Sequence, residues 1–281
     1  MCTRYISPEQ RELEYLWAVS NRRPLRIFDP GPRAQAENGA ANDASNDAEH
    51  PDSEADVAIE VLPARSGWMI RIDRDPKLGN QFALLPGQFG LIAHWVRPDG
   101  MKKMTRACYN ARTETVHEKP SYRTAWKHMN WCVIPAKAIY EPCYESGRPV
   151  PWKIARADGK PMWIAGIRWA YKLEDGRFLE TYSMLTINAD DHALFRRMHA
   201  PNDEKRMVVM LKDEDVEAWL NAGTHDEARS FFTHYPAEEL VAEAAPDAPR
   251  VRKAAAKGVV KAKVEKPPKP VGPEQLELGE G

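Results

Sequence analysis

The chain has 281 residues with 43% hydrophobic and 29% charged side chains, a composition ordinary for a soluble globular protein. That length allows one large domain or two small ones, and the formal net charge of -1 excludes a bulk electrostatic attraction for nucleic acid. Four cysteines without a C-x-x-C pair argue against a disulfide scaffold and a zinc site, and no apolar run reaches the length of a membrane span. With no basic-then-apolar leader either, the expected compartment is the reducing cytoplasm.

Cys2 follows Met1 directly, and so small a residue predicts that Met1 is trimmed. The exposed end then carries an α-amine and a thiol two carbons apart, a pairing that no internal cysteine offers. The amine's reference pKa of about 7.7–8.0 leaves a useful neutral fraction at pH 7, and such an aminothiol suits attack on an aldehyde. Ser7 and Gln10 form a capping-box pattern with Pro8 at the first helical position, which predicts a helix over residues 8–19 carrying Leu13, Leu16 and Trp17 on one face. Residues 31–56 are rich in Ala, Asn, Asp, Glu and Gly and read as a disordered acidic insertion. Alternation then predicts strands over 58–61 and 67–72, and a strand over 82–85 that turns at Pro86-Gly87 before a further apolar segment over 89–95. A helix is expected over 122–129 and a strand over 132–135. Segments 152–155 and 162–169 form a hairpin about Asp158-Gly159, and a second turn at Asp175-Gly176 leads into a strand over 178–187. A short helix over 191–198, a buried strand over 207–211, and helices over 214–221 (capped by Asp213) and 226–232 complete the reading. Mostly antiparallel strands with scattered helices predict the α+β class. From 245 to 281 the Lys/Ala/Pro-rich sequence reads as a disordered basic tail, equally suited to non-specific phosphate contacts or to solubility alone.

Three internal segments matter beside Cys2: Tyr109-Asn110-Ala111-Arg112-Thr113-Glu114-Thr115, Ile134-Pro135-Ala136-Lys137-Ala138-Ile139-Tyr140-Glu141, and Met198-His199 followed by Glu204-Lys205-Arg206-Met207-Val208-Val209-Met210-Leu211. Singly they carry little: a strand-end Glu is usually solvated, a lone His after a helix is usually a cap or surface group, and Asn is a turn former. In this order, with Cys at position 2, they resemble the SOS response-associated peptidase (SRAP) family. Its members begin Met-Cys-Gly-Arg-Phe/Tyr and carry an Asn-Ala-Arg-x-Glu segment, a strand ending in Tyr-Glu, and a late His followed by Arg-Met-Pro-Val. Ala165-Gly166-Ile167-Arg168-Trp169 is similar to the family's Ala-Gly-Leu-Trp-Glu strand. The resemblance spans residues 1–236, interrupted by the acidic stretch.

The resemblance implies a mainly antiparallel sheet or open-barrel core with flanking helices. It also implies an abasic-site processing protein of the DNA damage response that binds single-stranded DNA, including DNA at replication forks. Cys2 would couple covalently to the ring-opened abasic sugar, whose aldehyde accepts the amine as a Schiff base and the thiol to close a thiazolidine. Cys2 is then the nucleophile and Glu141 the proton shuttle. Asn110 would hold the sugar or the N-terminus, and His199 would assist ring opening and reversal. Arg4 and Arg112 are expected on phosphates and Phe89 on a base. No cofactor is expected. No metal is expected either, since His192 and His199 lack a third ligand. The chain is expected to be a monomer without membrane contact, associated with the nucleoid when on DNA. This sequence departs from the pattern in four places. Thr3 stands for Gly, Phe89-Gly90-Leu91 for Trp-Gly-Leu, and Pro142 follows Glu141 where an aromatic is common. Ala200-Pro201-Asn202-Asp203 are extra after His199 and leave room for its displacement. Two other readings stay open: a cysteine peptidase or N-terminal-nucleophile hydrolase, including autocatalytic removal of Met1, and a non-catalytic reader of damaged or modified DNA. An AP-lyase activity would accompany the Schiff-base chemistry.

Overall fold

The computed structural model describes residues 2–20, 25–27, 60–75 and 79–245. The expected acidic insertion over 31–56 and the tail beyond 245 lie outside the described residues. In chain order the elements are β1 (Arg4–Ile6), α1 (Gln10–Ser20), β2 (Leu25–Ile27), β3 (Glu60–Val61), β4 (Ser66–Asp75), β5 (Gly79–Phe89), α2 (Met101–Ala107), β6 (Asn110–Arg112) and α3 (Arg123–Lys127). They continue with β7 (Trp131–Ala136), β8 (Ala138–Cys143), β9 (Val150–Arg156), β10 (Met162–Lys172), β11 (Phe178–Asn188), β12 (Arg206–Val208), β13 (Met210–Leu211), α4 (Val216–Asn221), α5 (His225–Ser230) and β14 (Leu240–Ala244). The class is α+β, as the alternation predicted.

The core is a barrel. Strands β11, β10, β7, β4 and β5 pair antiparallel in that order, and β5 then pairs parallel with β11 at Thr181↔Gln88 and Tyr182↔Phe89. That last pairing closes five strands on themselves, so the open barrel implied by resemblance is corrected to a closed one. Closure of so few strands leaves little interior space. Gly166 shows this: a Cβ there would stand 2.4 Å from Ile134 Cδ1 and 2.7 Å from the Ser183 carbonyl oxygen. Against the barrel lies α1, whose Leu13 and Trp17 are fully buried, four residues apart on one face. Trp17 meets Phe82 edge-on at 5.1 Å and Trp163 at 6.1 Å.

A second sheet runs β14-β9-β8-β1-β3. Here β1 pairs antiparallel with β8 at Arg4↔Tyr140, Tyr5↔Ile139 and Ile6↔Ala138. Continued backwards, that register carries Cys2 alongside the Glu141–Pro142 end of β8, and the N-terminus is thereby anchored.

Several expectations need correction. Pro86-Gly87 is not a turn, because β5 runs through both residues. Proline is tolerated there since it lies between the β2 pairing, which ends at Leu84, and the β11 pairing, which starts at Gln88, so no partner needs its missing N–H. The bend comes instead at Gly90, whose φ of 120° suits glycine. The helix expected over 191–198 is only a 3-10 turn at Phe195–Arg197. The strand over 207–211 divides, β12 pairing β11 and β13 pairing β10. Asp213 does not cap the helix that follows; its carboxylate accepts from Arg156 and Trp163. No helix among the described residues is long and apolar enough to cross a membrane.

Candidate active site

Three segments meet at Cys2. Asn110 opens β6, which pairs parallel with β11 at Met184↔Asn110, and its Nδ2 donates to the Cys2 carbonyl at 2.7 Å. The Tyr122 hydroxyl donates to the Asn110 carbonyl at 2.9 Å and locks this end of β6. Glu141, on β8, is 1% exposed. His199 is tied to the end of β8 by bridges from Cys143 to Met198 and His199, and its N–H donates to the Pro142 carbonyl at 2.6 Å. Its backbone is left-handed, with φ 64°, a conformation costing roughly 1 kcal/mol for a residue with a Cβ. The ring's Nε2 lies 3.7 Å from Glu141 Oε2 and 3.1 Å from the Arg206 carbonyl oxygen. The extra residues Ala200-Pro201-Asn202-Asp203 form an outlying turn and leave His199 beside Glu141. Thr3 in place of glycine also does no harm, since among the described non-glycine residues only Ala64, Met129 and His199 take a positive φ.

Burial governs the electrostatics. Desolvation pushes the Glu141 carboxyl up to about 7. It pushes the Cys2 thiol, fully buried with Sγ 3.4 Å from the Arg4 carbonyl oxygen, up to about 12, and the Glu141 charge adds to that rise. His199 is pushed down to about 4, again chiefly by desolvation. Near neutral pH the pocket therefore holds a thiol, a neutral imidazole and a carboxyl group able to give or take a proton. The Tyr109 hydroxyl is raised by burial first and then by Cys2 and Glu141, so it lies within their field. Tyr109 was read only as part of a motif; no pattern in the sequence separates it from its neighbours.

The expected cations already have partners. Arg4 stacks over the Tyr140 ring at 3.9 Å and lies 3.1 Å from Glu60 Oε1. Arg112 Nη1 donates to Glu204 Oε2 at 2.7 Å. Glu204 also accepts from Arg206, a residue 2% exposed whose guanidinium grips Glu114 and donates to the Thr186 carbonyl at 2.6 Å. Arg206 thus braces the strand whose carbonyl faces His199. Its sequence signal is its place in the Arg206-Met207-Val208 segment that follows His199 in the family pattern. Phe89 is a correction: it is fully buried, with Tyr5, Tyr109 and Tyr182 at 5.5, 5.7 and 5.6 Å. As the strand end that closes the barrel it faces inward, so no ring face is open to a base.

A family profile described as SOS response associated peptidase (SRAP) matches residues 1–251. The chain belongs to the SRAP family. Among curated relatives of this SRAP chain, abasic site processing protein YoqW of Bacillus subtilis (strain 168) is 27% identical over 195 residues, 68% of this chain and 80% of that protein. Abasic site processing protein HMCES of Gallus gallus is 24% identical over 176 residues, 56% of this chain and 51% of that protein. A crystal structure from Bordetella bronchiseptica superposes with a TM-score of 0.67 at 32% identity, covering 87% of this chain and 99% of that one. One from Bacteroides thetaiotaomicron gives 0.61 at 20% identity over 88% and 93%, a likeness of fold alone.

Proposed function

We propose that this SRAP chain processes abasic sites in single-stranded DNA by forming a covalent thiazolidine through Cys2 after Met1 is lost. The observation that carries the reading is the convergence of Asn110, Glu141 and His199 on the N-terminal cysteine, with Glu141 and His199 3.7 Å apart. The names of the curated relatives agree with it.

The order of steps follows from the protonation states. Burial, which pushes the Cys2 thiol up to about 12 while Met1 is in place, makes sulfur a poor first nucleophile, so the freed α-amine attacks the sugar aldehyde first. Its nitrogen lone pair forms the C–N bond, and a proton moves from nitrogen to give a neutral carbinolamine. Glu141 in its acid form protonates the carbinolamine hydroxyl, which leaves as water, and the resulting carboxylate takes the proton from nitrogen, which yields the Schiff base and restores the Glu141 acid. The thiol then adds to the C=N carbon. Its proton ends on the ring nitrogen, and the sum is one aldehyde plus one aminothiol giving one thiazolidine and one water. Neutral His199 assists opening of the sugar ring by passing a proton between ring oxygen and solvent. Asn110 holds the N-terminal carbonyl still through these steps. Arg4 and Arg112 take phosphates, Arg112 only after parting from Glu204. A thiolate-first hydrolase would need a lowered thiol pKa beside a protonated imidazole, and burial moves both groups the other way.

Intact mass spectrometry after incubation with an abasic oligonucleotide tests the reading. The expected adduct has the mass of protein lacking Met1 plus DNA minus one water. A stable adduct on protein that retains Met1 overturns it.

A further inference from the structure

The far end of the barrel holds a second built site. Arg71 of β4 and Arg168 of β10 share a single carboxylate, Glu180 of β11: Arg71 Nη1 lies 2.8 Å from Oε1 and Arg168 Nη1 3.3 Å from Oε2. Their side chains are only 16%, 16% and 15% exposed, so one positive charge is left unbalanced in a poorly solvated place. Both Nε atoms are buried and, among the described residues, without an acceptor. Beside the cluster opens a cavity of about 290 Å³, lined by Arg71, Arg168, Asp73, His128, Asn130 and Trp131. Asp73 does not neutralise it, because its carboxylate is 3.7 Å from Arg26. Met129, between His128 and Asn130, is held left-handed at φ 50°, so the rim is kept in a strained turn that flanks the cavity with two polar side chains.

This end is remote from Cys2. Four residues of β11, about 13 Å at strand rise, separate Glu180 from Met184, the partner of Asn110. The hydrogen-bonded Tyr5 and Tyr182 hydroxyls lie in the barrel between them. An Arg–Glu–Arg cluster serving only as a plug has no use for open volume or for surplus charge, since apolar residues fill such positions as stably. Two guanidinium forks beside a cavity at the small end of ligand pockets suit a compact oxyanion.

We infer that the barrel mouth formed by Arg71, Arg168 and Glu180 is a binding site for a small oxyanion of phosphate size, separate from the active site and independent of the reading proposed for it. The N–H groups that Glu180 does not take are left to the anion, while Glu180 tethers both guanidinium groups.

The test is calorimetric titration of the full chain with inorganic phosphate against chloride at matched ionic strength. Saturable binding is expected. Arg168→Gln and, separately, Arg71→Gln should each weaken it about tenfold or more, the effect of losing a charge-assisted fork. Arg168→Lys should bind between wild type and Arg168→Gln, and Lys103→Ala, at an exposed position of α2, should bind like wild type. Phosphorus NMR line broadening in the wild type alone gives a readout that needs no variant to fold. No saturable binding in the wild type, wild-type affinity in either glutamine variant, or loss of binding in Lys103→Ala each overturns the inference.

Discussion

Glu141, Cys2 and His199 owe their chemistry to burial, which discourages charge on each. Glu141 at about 7 gives the clearest consequence, because its acid form is the proposed donor to the departing water. The single-turnover rate of adduct formation should therefore be level between about 7 and 8, where gain of the neutral α-amine offsets loss of the Glu141 acid form, and fall about tenfold per unit at higher pH. Glu141→Gln should lose that limb and run about 100-fold slower at its best pH. A limb that survives in Glu141→Gln contradicts the assignment. Arg112 presents a different case, since an acidic side chain occupies the guanidinium that we propose for phosphate. The pair is half-exposed and worth little, so Glu204→Gln should tighten single-strand binding by up to about fivefold at low salt. In an Arg112→Ala background the same substitution should change nothing. A Glu204→Gln effect undiminished in that background would show that the pair does not compete with DNA.

At the level of elements, legibility tracked locality. The α1 face was readable because Leu13 and Trp17 repeat at helical spacing. The hairpins were readable because Asp158-Gly159 and Asp175-Gly176 are turn dipeptides between apolar runs, and Gly159 and Gly176 do take positive φ. Barrel closure was not readable: Gln88 and Phe89 meet Thr181 and Tyr182 across more than ninety positions, and no local pattern announces a parallel pairing. The inward direction of Phe89 follows from that closure, so its reading as a stacking residue failed with it. The segment that became α2 has Met101 and Met104 at helical spacing but no capping side chain to mark its start. Of the candidate site, the residue types and order were legible at Cys2, Asn110, Glu141 and His199, but their meeting depends on β1 pairing β8 and on the Cys143 bridges. The tightness of the closed barrel is itself testable. Gly166→Ala drives a Cβ toward the Ser183 carbonyl and should cost about 1–3 kcal/mol, lowering Tm by several degrees. An unchanged Tm would mean the strands can separate there without penalty.

For the whole molecule, the candidate active site is a stability liability with a definite pH sense. Unfolded, Glu141 titrates near its model value of 4.5, and folded near 7, so the fold binds a proton that the unfolded chain has released. The penalty begins as pH passes 4.5, is complete above about 7, and reaches about 3 kcal/mol there. His199 acts in the opposite window, costing stability as pH falls below 6.5 toward 4. Glu141→Gln should accordingly be more stable than wild type at pH 8, with the gap narrowing at pH 5, in thermal melts at the two pH values. A gap that widens at pH 5 would refute the burial argument.

The central claim is that one residue, Cys2, joins this chain to abasic DNA through both its amine and its sulfur. Incubation with an abasic single-stranded oligonucleotide followed by a denaturing gel tests it most directly. Wild type should give a stable shifted band, Cys2→Ala none, and Cys2→Ser only a labile Schiff base that reduction by borohydride captures. A Cys2→Ala band as strong as wild type, or a Cys2→Ser adduct equally stable without reduction, would contradict the account.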